Sequence, residues 1–258
     1  SDFWITAGTY VPGSNRTDIF TLTADQSLYG GFNGTETMLS QRDPAMNVTI
    51  LSGDILGNDD GIVTFGNTTY SDNSQRILQI IQDNVVVDGV TFSGGNANGG
   101  NNSLKSGAAI RIIETCKSVT INDVIFTNNR VERGGVVYYS HTSAQSGNYD
   151  YTFTNCTFTN NLGRFAPLVY GENPRTSGTL TTSFTNCAFT DNVVADLSGS
   201  EEGTNALFWF RTDVATTHEA VFINTTIANN LLNATSSTTA GVVSISRSSG
   251  TANLEMYN

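Results

Sequence analysis

Residues 151–161 read YTFTNCTFTNN, and the pattern returns as VVVDGVTFSGG at 85–95, VTINDVIFTNN at 119–129, TSFTNCAFTDN at 182–192 and VFINTTIANN at 221–230. Such self-similarity marks a repeat architecture, in which each unit buries its apolar face against the next. With Phe92, Phe126, Phe158, Phe189 and Ile227 taken as equivalent, successive units lie 34, 32, 31 and 38 residues apart. Helical-hairpin arrays keep a fixed repeat length, so this variation belongs in loops between short strands.

Inside each unit apolar residues alternate, as in Val119 and Ile121 and again in Val124 and Phe126, the period-two signature of a strand with one buried face. The phase slips at Asn122-Asp123, Thr154-Asn155, Thr185-Asn186 and Ile223-Asn224, where Asx residues supply a bend. A further strand follows each variable segment: GAAIRI at 107–112, GVVYY at 135–139, PLVYG at 167–171, ALFWF at 206–210 and GVVSI at 241–245. Three short strands per coil make an all-β, right-handed parallel β-helix, with coils about 4.8 Å apart. Ile121, Phe153, Phe184 and Phe222 are expected as one buried column, and Asn155, Asn186 and Asn224 as an outer one. The register also places Cys156 and Cys187 inward on adjacent coils. The first 84 residues are less regular, but WITAGTY at 4–10, FTLTADQSLYGGF at 20–32 and NVTILSGDI at 47–55 still read as strands. They are taken as the first coils of a single domain spanning residues 1–258. The terminal NLEMYN suggests the start of another coil, and hence a larger parent protein.

The chain of 258 residues carries 12 basic and 23 acidic side chains, a formal charge of −11, which disfavours nucleic acid as a partner because phosphates are repelled. No apolar run approaches the roughly 20 residues that span a bilayer, so direct membrane insertion is not expected. The three cysteines, Cys116, Cys156 and Cys187, are too few and too scattered for a disulfide scaffold or close-paired zinc ligands. Sequons begin at Asn15, Asn33, Asn47, Asn67, Asn101, Asn155, Asn224 and Asn233, which permits a glycosylated, secreted protein. Neither a metal nor another cofactor is expected. Asp59-Asp60 in GNDDG offers two acids to calcium, yet adjacent acids in a Gly-rich turn are more often turn residues.

Two sets of residues carry a family resemblance. From Trp4 to Asp54 the chain contains AGTY, YGGFNGTE, QRD and NVTILSGD, and this run resembles the opening coils of secreted and surface-anchored right-handed β-helix proteins of bacteria. The downstream FTNN and GGVV, with SGAAI, PLV and AGVV, resemble the FxxN and GGA[ILV] repeats of chlamydial polymorphic membrane proteins. The resemblance implies a pectin-lyase-like β-helix and an extracellular or cell-surface location. It does not imply an activity, because binding modules and polysaccharide-cleaving enzymes share the architecture. Pro167 and Leu168 depart from the small residues of that repeat, and an insertion at 193–205 lengthens one loop.

In the enzymes of this fold catalysis occupies the outer face of the strand after the variable loop. Parity there gives an outward column Arg111, Tyr138, Tyr170, Trp209 and Ser244, with a neighbouring outward column Ala109, Val136, Leu168, Leu207 and Val242. Either the loops at 193–205 and 231–240 cover this apolar stripe, or it is a binding face for a glycan or protein partner at the cell surface. An enzymatic cleft would draw on His141, Glu172, Arg211 and Asp213, with Glu172 and Arg211 placed to form an ordinary cross-strand ion pair. His141 and His218 are expected as exposed loop residues. A third surface carries Thr91 and Ser93, Ile125 and Thr127, Thr157 and Thr159, Ala188 and Thr190, and Thr226 and Ala228, an imperfect Thr-x-Thr array that admits an ice-binding reading. The leading expectation is a non-catalytic extracellular module of an adhesin, stalk or surface assembly. A polysaccharide lyase or glycoside hydrolase is the alternative, and an ice-binding protein a minor one.

Overall fold

The computed structural model describes residues 2–23, 26–113, 115–141, 145–173, 177–195, 204–212, 216–233, 239–247 and 251–257. Their strands stack in parallel as a β-solenoid, and helix is confined to short 3-10 turns at Leu39–Gln41, Thr68–Ser71 and Asn102–Lys105. One coil shows the construction: Tyr149–Thr154, Thr157–Thr159, Leu162–Gly163 and Val169–Asn173 each supply a strand to a different sheet. In that order around the coil the sheets have eight, seven, five and seven strands among the described residues. The ladders run across the change in regularity near residue 84, pairing Leu28 with Val87, Leu51 with Phe92 and Leu78 with Ile110.

The expectation of three strands per coil is corrected from the third coil onward, where a further strand is added. The added strand, third around the coil, is the short one, Asn96–Ala97, Arg130–Val131, Leu162–Gly163, Val193–Ala195 and Leu231–Asn233 in successive coils. Two or three residues are too few to show an alternating pattern, which is why the sequence presents them as the start of a loop.

Two bends turn each coil, and both are made by residues that tolerate the left-handed region. The first holds Gly89, Asp123, Asn155, Asn186 and Asn224, and the second holds Gly94, Asn128, Asn160, Asp191 and Asn229, all at positive φ. Only the first was legible as a phase slip. The outer column forms as expected: Asn186 Nδ2 donates to Asn155 Oδ1 at 3.3 Å, and Asn224 Nδ2 donates to Asn186 Oδ1 at 2.7 Å. The second bend adds an inner column that the repeat contains but parity does not reveal. Asn129, Asn161 and Asn192 are buried, and Asn129 Nδ2, Asn161 Nδ2 and Asn192 Nδ2 donate in turn to Asn161 Oδ1, Asn192 Oδ1 and Asn230 Oδ1 at 3.1, 3.0 and 2.9 Å. Each amide also serves the backbone, as where Asn161 Nδ2 donates to Phe126 O at 2.9 Å and its Oδ1 accepts from Asn129 N at 3.1 Å. Buried polar atoms require such partners, and here the ladder supplies them from coil to coil.

Apolar columns fill the centre. Phe92, Phe126, Phe158 and Phe189 stack with centroids 5.5, 4.4 and 5.2 Å apart, and Phe153, Phe184 and Phe222 stack at 4.9 Å for each pair. Ile121 is in register below Phe153, as expected. Cys156 and Cys187 face inward, also as expected. One column was misread. Ala109, Val136, Leu168 and Leu207 are fully buried in this same core, beside Ile110, Val137, Val169 and Phe208. The pleated strand begins only at Ile110, Val137 and Val169, and the ladder around Leu207 skips that residue, so two successive side chains face inward. Val242, at the end of this column, is exposed.

Candidate functional site

The outer column on the fourth sheet forms in register, Arg111 with Tyr138, Tyr138 with Tyr170, and Tyr170 with Trp209. Its rings stack at 5.3 Å between Tyr138 and Tyr170 and 4.9 Å between Tyr170 and Trp209, and the Arg111 guanidinium lies 6.0 Å from the Tyr138 ring centroid. The column is not open. Tyr138, Tyr170 and Trp209 are 7%, 1% and 5% exposed and form, with Ala166, an apolar cluster separate from the central core. The GGVV segment explains part of this closure: a Cβ on Gly134 would stand 3.0 Å from the Tyr170 ring, and Gly135 takes a φ of 69°. Parity placed these rings on the correct side of the sheet. What it could not show is that this side is itself covered; most of the loops at 193–205 and 231–240, expected as the cover, lies outside the described residues.

Glu172 is where the cluster becomes polar. Tyr170 Oη donates to Glu172 Oε1 at 2.7 Å, Tyr138 Oη donates to Glu172 Oε2 at 3.1 Å, and Arg211 Nη1 lies 3.7 Å from Glu172 Oε1. The cross-strand pairing of Glu172 with Arg211 is the one read from the sequence. The two phenol donors were not foreseen. Burial beside this carboxylate pushes the Tyr138 hydroxyl up to about 12. Asp213 lies outside the described residues.

The histidines correct a second expectation: His141 and His218 are buried, not exposed in loops. His218 belongs to the strand Thr217–Ile223, where His218, Ala220 and Phe222 alternate inward, a pattern visible in THEAVFI. Its Nε2 meets Tyr139 Oη at 3.3 Å and Thr182 Oγ1 at 3.4 Å, and those two hydroxyls bond each other at 2.6 Å. His141 Nε2 meets Tyr151 Oη at 3.2 Å, and that hydroxyl donates to Cys116 O at 2.7 Å. These contacts hold both rings within the solenoid, away from the outer face of Glu172.

Asp59 and Asp60 diverge. Burial raises the Asp59 carboxyl despite a hydrogen bond from Asn73 Nδ2 at 2.7 Å, whereas donation from Ile62 N lowers Asp60. Among the described residues no group of three or more His, Cys, Asp or Glu is placed to hold a metal ion. Of the sequon residues, Asn15, Asn33, Asn101, Asn155, Asn224 and Asn233 are exposed, and Asn47 and Asn67 are half-buried. Asn67 Nδ2 donates to Asp60 Oδ1 and Ile62 O, each at 2.7 Å, so a glycan on that nitrogen would compete with both bonds.

Set beside family models, curated proteins and solved structures, the chain matches none, so the site is read from its own geometry.

Proposed function

We propose that this chain is a non-catalytic, right-handed β-helix module of an extracellular surface protein, an adhesin, stalk or structural assembly. The observation that carries this reading is the occupation of Glu172, whose oxygens accept from two tyrosines and face Arg211. A general acid or base needs access to its substrate, and a hydrolase needs a second carboxyl across the scissile bond. Glu172 instead anchors the outer rings to the sheet. The resemblance of the repeats to those of secreted and surface-anchored proteins supports the location. A partner, glycan or protein, would then be met by surfaces other than the closed rings. The test is a glycan screen joined to assays for new reducing ends and unsaturated uronic products. Binding without turnover or neither supports a module, and turnover that disappears in Glu172→Gln would establish the lyase or hydrolase alternative.

A second reading rests on the second sheet. Its outward rows Ile125, Thr157, Ala188, Thr226 and Thr127, Thr159, Thr190, Ala228 are in strict register and carry no charge. Such a rigid face suits an ordered water surface such as ice. Thermal hysteresis that is lost in Thr157→Lys would support this reading, and its absence from the wild type would remove it.

A further inference from the structure

Cys156 and Cys187 each follow a left-handed asparagine, Asn155 and Asn186, at the same point of consecutive coils. The frame around them is tied on both sides. Thr157 pairs in register with Ala188, Ala188 N donates to Cys156 O at 2.9 Å, and the two asparagine side chains are bonded outside. Inside, both thiols are buried, with Cys156 Sγ donating to Thr154 O at 3.3 Å and Cys187 Sγ to Thr185 O at 3.4 Å. Burial pushes the Cys156 thiol up, while the neighbouring Cys156 side chain lowers that of Cys187, which makes Cys187 the more acidic sulfur.

Neighbouring coils stand about 4.8 Å apart, and disulfides bridge Cα separations of about 4.4–6.8 Å. The same column holds Val124 on the coil before and Thr225 on the coil after, so the two sulfurs have only each other. Cys116 is placed elsewhere, with its Sγ donating to Ile80 O at 3.4 Å.

We propose that Cys156 and Cys187 are a cross-linking site, joined by a disulfide-bearing oxidant of the glutathione class into a cystine that staples consecutive coils. The Cys187 thiolate attacks the oxidant's disulfide and expels one glutathione thiolate, leaving a mixed disulfide on Cys187. Cys156 then releases its proton to solvent, attacks the Cys187 sulfur and expels the second glutathione. Two protein thiols lose two electrons, and one glutathione disulfide becomes two thiols. Because both sulfurs are buried, the oxidant gains entry only when the coils open locally, and mild urea should speed the reaction. This proposal is independent of any reading of the ligand.

The experiment starts with fully reduced protein, exposed to millimolar oxidised glutathione in native buffer and in mild urea. The sample is then quenched, denatured, alkylated and weighed intact. The expected result is a fall from three alkylatable thiols to one, Cys116, with a non-reduced peptide linking residues 156 and 187. Cys116→Ser should still cross-link and retain no free thiol, whereas Cys156→Ser should stop at the mixed disulfide on Cys187. Three free thiols under both conditions, a cystine that includes Cys116, or glutathione retained on Cys187 of the wild type would each overturn the proposal.

Discussion

Aromatic stacks run along this solenoid both inside and outside the sheets. Phe126, Phe158 and Phe189 stack at 4.4 and 5.2 Å in the centre, and Tyr138, Tyr170 and Trp209 stack at 5.3 and 4.9 Å on the outer side of the fourth sheet. Both follow from parallel register, which brings equivalent residues together whatever side they occupy. Both are buried. The difference is in how they end: the phenylalanines meet other apolar columns, while the tyrosine hydroxyls converge on Glu172. Parity thus assigns a side of the sheet and leaves open whether that side meets water.

The inner stack should be the more costly to break. Phe158→Ala removes a fully buried ring that touches Phe126, Phe153 and Phe189, and should cost about 4–5 kcal/mol in equilibrium unfolding. Trp209→Ala tests whether the outer stack is a second core. Its expected cost is about 3 kcal/mol, at the low end for a buried aromatic, since the ring stacks on Tyr170 alone among the described rings. An unchanged melt would show that the outer stack is not a second core. The outer stack also carries a pH signature that the inner one lacks. Tyr138 is held neutral up to about 12, so its contribution is complete below the ordinary tyrosine range. That contribution is lost as pH rises from about 10 toward 12, because the unfolded chain releases its proton first. Tyr138→Phe should flatten the alkaline fall in melting temperature; an identical fall in wild type and variant would show that Tyr138 contributes nothing to it.

How much of this was legible can be stated residue by residue. The phase slip at Thr154-Asn155 announced the first bend, and the columns through Phe153, Phe158 and Cys156 followed from simple alternation. The second bend was hidden, because in FTNN the exposed left-handed Asn160 and the buried Asn161 are adjacent and chemically alike. Composition cannot say which of two asparagines points inward; only the coil above, offering Asn192 Oδ1, decides it. Leu168 and Leu207 were misplaced for a related reason, since parity assumes a pleat that begins later or is interrupted there. At the candidate site the Glu172–Arg211 pair was visible in aligned repeats. The hydrogen bonds from Tyr138 and Tyr170 were not, because they depend on which way long side chains lean.

The same contrast between inside and outside can be posed with asparagine alone. Asn161→Ala strips partners from the buried Phe126 O and Asn129 N, and should cost about 2–3 kcal/mol. Asn155 occupies an exposed left-handed bend, so Asn155→Ala should cost only about 1 kcal/mol, and Asn155→Gly should restore most of it. If Asn155→Gly destabilises as much as Asn161→Ala, the outer ladder contributes through its amides and not through backbone geometry alone.

The smallest expected effect lies at the rim of the outer stack. Arg211 is 38% exposed and stands 3.7 Å from Glu172, so water and ions screen the pair, and Arg211→Ala should cost about 0–1 kcal/mol. Glu172→Ala should cost more, because it deprives two buried phenols of their shared acceptor and leaves them to find water through the cluster. The inequality between the two variants is the informative quantity. If Glu172 serves to anchor Tyr138 and Tyr170, its removal should lower the melting temperature in dilute and in concentrated salt alike, whereas the Arg211 effect should fade as salt is added. Equal, salt-sensitive losses from both variants would mean that the ion pair, and not the tyrosine anchor, holds this edge of the solenoid together.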